Sequence, residues 1–244
     1  ALLTPADTNP DFRQQRADIW VIDTGEFAAD SELLRSFLQP DELERHARFA
    51  SRQIAATWLT ARAGLRYLLG RYLDETPQSL IVKTGPNGKP FVENPFQLSF
   101  NISHSGSIAV IAVTDRDVGI DVEQLERQVD TAAVLRRFFS PAEQASYAQY
   151  QQVDPRRTFF RGWTRKEAVL KATGEGIAGL AHNEISFAPA LPHAMLTYRN
   201  SAEAAQTWFF HEFEPAPGYI AALACQSPPM QIHKSLLRPG ALSL

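Results

Sequence analysis

Two stretches of the chain carry acidic side chains in patterns that could do chemistry. In "VGIDVE", Val118 to Glu123, strand alternation puts Val118, Ile120 and Val122 on one face and Gly119, Asp121 and Glu123 on the other. Asp121 and Glu123 then project from one surface about 7 Å apart, at a rise of about 3.3 Å per residue. Gly119, with no side chain, is expected to leave the near side open to something bulky. In "RGWTRKEAVLKATGEG", Arg161 to Gly176, the residues Phe160, Trp163, Glu167 and Leu170 recur at i, i+3, i+7 and i+10. That is one helical face, and three of its four residues are apolar. Glu167 is therefore expected to be at least partly buried, which is costly for a carboxylate unless it is paired or binds a metal. An ion pair with Lys171, one turn further on, would satisfy it in the favourable Glu-before-Lys order. A bare D-x-E is equally what a solvated strand face looks like. Three convergent acids, however, make a hard, oxygen-rich site of the kind Mg²⁺ takes together with substrate phosphate oxygens. Zinc would want a His and Cys cluster, which the sequence lacks.

A phosphate-bearing substrate calls for donors and cations nearby. The candidates are Lys89 in "GKP", Ser103 and His104 in "NISHS", and Lys171. Asn, Ser and Gly are also ordinary turn formers, so "SHSG" is expected as a turn between two strands. Ser103 and His104 do not read as a hydrolase pair: neighbours on a strand face apart, and no G-x-S-x-G is present. "GEGIAG" is not a P-loop, because it lacks the Lys-Ser/Thr end and follows a helix instead of opening one.

The elements that must position these residues follow from periodicity and punctuation. "ADIWVID" (Ala17–Asp23) reads as a strand. Asp41 to about Tyr72 reads as helix, with a break near Phe49 to Arg52 and an apolar face of Leu59, Leu65, Leu68, Leu69 and Tyr72. "SLIVKT" is expected as a strand and "GPNGKP" as a turn. Three β-rich runs follow, "LSFNIS", "SIAVIAV" and "VGIDVE". Then comes a short helix over Asp130 to Phe139 and a helix opened by the capping box "SPAE", Ser140 to Glu143. Asp154-Pro155 opens the helix carrying Glu167, and Gly174 and Gly176 end it. "EISFA", "MLTY", "TWFFHEF" and "YIAALAC" read as strands, and the last 18 or so residues as a tail. The fold class is α+β with two lobes, divided near Asp115 to Gly119.

The bulk numbers bound the function. At 244 residues, 44% hydrophobic and 21% charged, the chain is long enough for a substantial core of the globular class. The net charge of −3 and the absence of a basic block argue against a nucleic-acid partner. The single cysteine, Cys225, excludes an internal disulfide framework and sits in an apolar run that reads as core. No apolar run reaches the roughly 18 residues of a membrane span. No signal peptide is read, and a reducing cytoplasm is the expected location.

Taken together, "FNISHSG" (Phe100 to Gly106), "VGIDVE" and "RGWTRKEAVLKATGEG", with "NGKP" before them and "RRFFSPAE" (Arg136 to Glu143) between, resemble the signature set of the Sfp-type 4′-phosphopantetheinyl transferases. The likeness runs from about Leu38 to Leu180 and more loosely to Cys225. It implies a monomeric pseudo-dimer of two similar α+β lobes with the active site in the cleft between them. An N-terminal lobe, residues 1–116, would bind coenzyme A. A C-terminal lobe, 117–226, would hold metal, catalysis and carrier docking, followed by a tail, 227–244. The implied reaction moves the phosphopantetheine arm of CoA to a serine of an apo acyl or peptidyl carrier protein. It releases adenosine 3′,5′-bisphosphate and uses Mg²⁺, with Mn²⁺ as the alternative. By the same resemblance, Asp121, Glu123 and Glu167 are metal-binding acids, and Glu167 and Lys171 are catalytic. Lys89, Ser103, His104 and Lys171 contact CoA, Arg45 lies near its 3′-phosphate, and Arg52 is a substitute for an arginine that many members carry where this chain has Thr57.

Overall fold

The computed structural model describes residues 16–189, 191–229 and 231–242. In chain order the main elements are β1 (Arg16–Asp23), α1 (Ser31–Ser36), α2 (Pro40–Ala47), α3 (Arg52–Leu73), β2 (Lys83–Thr84), β3 (Pro90–Phe91), β4 (Ser99–Ser105), β5 (Ile108–Thr114) and β6 (Val118–Gln124). They continue with α4 (Thr131–Phe138), α5 (Pro141–Tyr150), α6 (Pro155–Thr173), β7 (Asn183–Ile185), β8 (Met195–Tyr198), α7 (Ala202–Ala205), β9 (Trp208–Phe213), β10 (Tyr219–Gln226) and β11 (Gln231–Leu236). The chain is α+β and divides into two compact units. The first comprises the chain up to Lys83, Pro90–Asp115 and the chain after Pro228; the second comprises Thr84–Lys89 and Arg116–Pro228. No helix among the described residues is long and apolar enough to cross a membrane.

In the first unit the strand order is β11-β1-β5-β4. β5 is buried at every position, as its unbroken "IAVIAVT" requires of an inner strand. The helix α3 packs on β4 and β5 through Leu65, Leu68 and Leu69, all fully buried. Its C-terminal end is tied to β1 by a buried chain of hydrogen bonds. Trp20 Nε1 donates to Tyr72 Oη at 2.9 Å, and Tyr72 Oη donates to Asp18 Oδ2 at 2.6 Å. Burial, then the Asp18 carboxylate, hold the Tyr72 phenol well above its ordinary value. The buried Glu42 joins α2 to α3, accepting from Arg62 and, at 2.5 Å, from Arg66.

Three readings of this unit need correction. "SLIVKT" forms no strand before Lys83: Ile81 is 68% exposed, so its apolar side chain has no sheet to bury it. "SHSG" is not all turn, since β4 continues through Ser105 opposite Ile108 and the turn is Gly106-Ser107; His104 therefore sits within a strand, opposite Ala109. The residues expected as a tail contain β11, which runs parallel to β1 from Arg16↔Gln231 to Val21↔Leu236. Backbone pairing at a sheet edge, with Ser235 and Leu237 turned inward, holds a segment whose composition alone gives little strand signal.

In the second unit an antiparallel sheet, β6-β10-β9, carries α6 on one face. Asp154 caps α6 by accepting from Arg157 N at 2.9 Å, Pro155 occupies its first turn, and Gly174 closes it at φ 67°. The "SPAE" capping box forms as expected, with Glu143 N donating to Ser140 Oγ at 3.2 Å and Ser140 N to Glu143 Oε2 at 2.8 Å. β10 is rich in alanine, Ala221, Ala222 and Ala224 all being fully buried, and small side chains let a helix lie close on a sheet.

Candidate active site

The acids of interest stand where α6 presses on β6. Gly119 makes that approach possible: a Cβ there would lie 1.9 Å from Ala168 O and 2.5 Å from Ala172 N. The space that the sequence reading left open is filled by the α6 backbone itself. With α6 seated in this notch, Asp121 and Glu123 are buried on β6, opposite Ala222 and Ile220 of β10, and Glu167 is half-buried on the helix. Gly119→Ala is expected to lower stability by about 3 kcal/mol, the upper end for overpacking, because both clashing atoms are backbone. Urea unfolding measures it, with Gly240→Ala, where the added methyl meets open space, as control. Equal midpoints for the two variants would refute the seating.

The electrostatics are those of crowded anions with cations at the edge. Lys171 Nζ donates to Asp121 Oδ1 at 2.6 Å and reaches Ile120 O at 3.4 Å. Arg127 Nη1 donates to Glu123 Oε1 at 2.5 Å. The Glu167 carboxyl is pushed above the ordinary carboxylate range, first by burial and next by the Asp121 charge, with Glu123 adding to it; Lys171 and Arg127 pull the other way. So two of the three acids have a bonded cation, and the third stays crowded by like charge. The three offer only carboxylate oxygens, and the crowding at Glu167 is what a hard divalent cation would relieve; the donor set fits Mg²⁺. No three acids, histidines or cysteines among the described residues already stand in a metal cage.

Of the residues singled out in the sequence, the second unit thus brings together Asp121, Glu123, Glu167 and Lys171. Lys89 lies in the same unit, at the far end of α6. Its Nζ donates to Ala172 O at 2.6 Å and stands 3.6 Å from Asp117, and burial holds it below the ordinary lysine value. The others belong to the first unit. Ser103 is buried and His104 exposed on β4. Exposed Arg45 places its guanidinium 5.5 Å from the Trp58 ring centroid, a cation–π contact. Arg52 is exposed at the first position of α3, and Thr57, buried one turn on, donates to Gly106 O at 3.4 Å, linking that helix to the β4–β5 turn.

Several polar residues here escaped the sequence reading. Arg127 bonds Glu123 from the turn after β6, and only the i, i+4 spacing hinted at it. Arg165 and Lys166, within the signature block itself, are 0% and 1% exposed. Arg165 donates to Ser186 O at 2.7 Å and Ala188 O at 2.8 Å, and pairs with Glu212 at 3.1 Å. Burial brings its guanidinium down to about 10. Lys166 donates to both oxygens of Glu143, at 2.8 and 2.6 Å. These groups fix α6 from behind and leave Glu167 facing β6.

Comparison with known proteins places the chain. Residues 117–224 match the model of the 4′-phosphopantetheinyl transferase superfamily, and residues 27–116 match the model described as 4′-phosphopantetheinyl transferase, N-terminal. The chain is 33% identical over 224 residues to the 4′-phosphopantetheinyl transferase HetI of Nostoc, an alignment covering 90% of this chain and 92% of that protein. It is 26% identical over 149 residues to 4′-phosphopantetheinyl transferase Sfp of Bacillus subtilis (61% of this chain, 66% of that one). It is 33% identical over 141 residues to 4′-phosphopantetheinyl transferase AcpT of Salmonella typhimurium (57% and 68%).

Proposed function

The chain belongs to the 4′-phosphopantetheinyl transferase superfamily, and from that premise we propose that it converts apo acyl or peptidyl carrier proteins to their holo forms, as a holo-[acyl-carrier-protein] synthase type of transferase. The observation that carries this reading is the meeting of Asp121, Glu123, Glu167 and Lys171 at the α6–β6 contact, with the Glu167 carboxyl held above its ordinary range.

Asp121, Glu123 and Glu167 would hold Mg²⁺, or Mn²⁺ in its place, which when bound supplies charge neutralisation at the CoA pyrophosphate. Glu167 takes the proton of the carrier serine hydroxyl, directly or through one water, the general-base role. The serine oxygen forms a bond to the phosphorus bearing the pantetheine arm, and the bridging P–O bond of the pyrophosphate breaks. The Lys171 ammonium stabilises the charge that collects on the departing adenosine 3′,5′-bisphosphate. Most of the acceleration comes from positioning and electrostatics, as in phosphoryl transfer generally. Ser103, His104, Lys89, Arg45 and Arg52 supply the remaining contacts to CoA, and Lys171 contributes to its pyrophosphate. The carrier docks beside α4, where exposed Arg136 and Arg137 adjoin Phe138 and suit an acidic helix. On this reading the protein is a cytoplasmic monomer whose CoA-binding part is residues 1–116 and whose metal, catalytic and docking part is residues 117–226.

The test is mass spectrometry of apo carrier proteins of the fatty-acid, polyketide and peptide-synthetase kinds after incubation with the protein, CoA and Mg²⁺. The expected result is a gain of one phosphopantetheine on at least one carrier, lost on adding EDTA. No gain on any of the three overturns the assignment.

A further inference from the structure

The turn that carries Lys89 closes on the end of the helix that carries Glu167 and Lys171. The turn is tight: Gly88 N donates to Gly85 O at 3.0 Å and Gly85 N to Lys89 O at 2.9 Å. From it, Asn87 Nδ2 donates to Gly174 O at 2.7 Å, and Lys89 Nζ donates to Ala172 O at 2.6 Å. A helix ends with carbonyls that have no partner inside the helix, and these two side chains satisfy one in its last turn and one just past it. A cation there also meets the negative end of the helix dipole. The contact extends beyond the hydrogen bonds. A Cβ placed on Gly174 would stand 3.6 Å from Lys89 Cδ, and one on Gly176 would stand 3.6 Å from Asn87 Cβ. Both glycines have positive φ, so the turn lies over a segment that only glycine adopts without strain.

The same helical turn is also seated in the Gly119 notch, through Ala168 O and Ala172 N. The residues from Ala168 to Ala172 are therefore held by the notch and by the turn together, the two meeting at Ala172, and Lys171 stands among them with its ammonium on Asp121.

We propose that the 84–89 turn is a positioning clamp. Through Asn87 and Lys89 it fixes the last turn of α6 so that Lys171 stays within hydrogen-bonding reach of Asp121. Lys89 thus has a task toward its own chain besides any contact with CoA phosphate, and Asn87 is the member whose removal isolates that task. The effect on rate rests on the role proposed for Lys171; the clamp itself does not.

The experiment compares Asn87→Ala and Asn87→Gln with the unaltered protein by amide hydrogen exchange and by transfer kinetics. In Asn87→Ala the Gly174 amide, which donates to Leu170 O at 2.9 Å, is expected to exchange about three- to tenfold faster, the scale of one lost hydrogen bond, while amides of β10 keep their rates. The turnover number for carrier modification falls by a similar factor with KM for CoA unchanged, and Asn87→Gln, which keeps the donor, recovers part of it. Unchanged Gly174 exchange overturns the clamp. A raised KM for CoA with an unchanged turnover number also overturns it, making the turn a substrate contact only. If the unaltered protein modifies no carrier, the functional reading fails instead, and the exchange measurement alone decides the clamp.

Discussion

Glu167→Gln is expected to slow carrier modification by about 10²- to 10⁴-fold, the range general-base catalysis contributes. The amide keeps the shape of the side chain and one oxygen donor, but it cannot accept the serine proton. The same change is expected to stabilise the protein measured without added metal. Burial and the Asp121 and Glu123 charges raise the Glu167 pKa in the folded state above its unfolded value. A group shifted in that direction favours folding below its unfolded pKa and loses that contribution as pH rises through the folded one. The advantage of Gln therefore grows as pH rises from the ordinary carboxylate range toward neutrality. A lower turnover number together with a higher melting temperature at pH 7 is the signature of a group kept for chemistry at the expense of stability. Turnover near that of the unaltered protein would sink the base assignment. A lower melting temperature at pH 7 would mean that Glu167 is a structural ion-pair member.

What the sequence made legible here follows from which signals are local. Alternation in "VGIDVE" and the i, i+3, i+7, i+10 spacing around Glu167 depend only on chain geometry, and they located the acids on β6 and α6. The capping residues Ser140 and Asp154 are local too, and both helices begin where these predict. Signals that depend on distant partners were invisible. Lys166 finds its partner 23 residues away and Arg165 bonds Glu212 47 residues away, so nothing local marks either charge as buried. Glu143 was legible as the third residue of a capping box, yet nothing local says that its oxygens also receive Lys166 and the Ile185 amide. Gly119 was legible as a gap; what fills it, the backbone of α6, was not. β11 eluded the reading for the same reason, since the main chain of β1, more than 200 residues earlier, makes it a strand.

Lys166→Met is expected to destabilise the protein by about 3–5 kcal/mol, the scale for removing one partner of a buried ion pair. The pair is among the most deeply placed charges of the second unit: Lys166 is 1% exposed and Glu143 0%. Glu143 binds the ammonium with both oxygens, and those oxygens also accept from Ile185 N at 2.9 Å and Ser140 N at 2.8 Å, so one carboxylate joins α5, α6 and β7. Methionine fills the volume of the alkyl chain and can rest on the Phe139 ring, which Lys166 Nζ overlies at 4.9 Å. It leaves the carboxylate with two amides and no counter-charge. Burial already raises the Glu143 pKa, with Lys166 the largest opposing influence, so removing the lysine raises it further. Its folded pKa then lies well above the unfolded one, and the sign is the same as for Glu167. The variant loses little stability at acid pH, where the carboxyl is protonated in both states, and progressively more as pH rises through the folded pKa. Urea unfolding at pH 5 and pH 8 measures this, and adding Glu143→Gln, which removes the orphaned charge while keeping an acceptor, is expected to recover at least half of the loss at pH 8. A loss below about 1 kcal/mol, the scale of an exposed pair, would mean that water reaches the site and that Lys166 does not anchor α6. A large loss at pH 8 that Glu143→Gln fails to relieve would place the cost in packing around Phe139 and not in the stranded carboxylate.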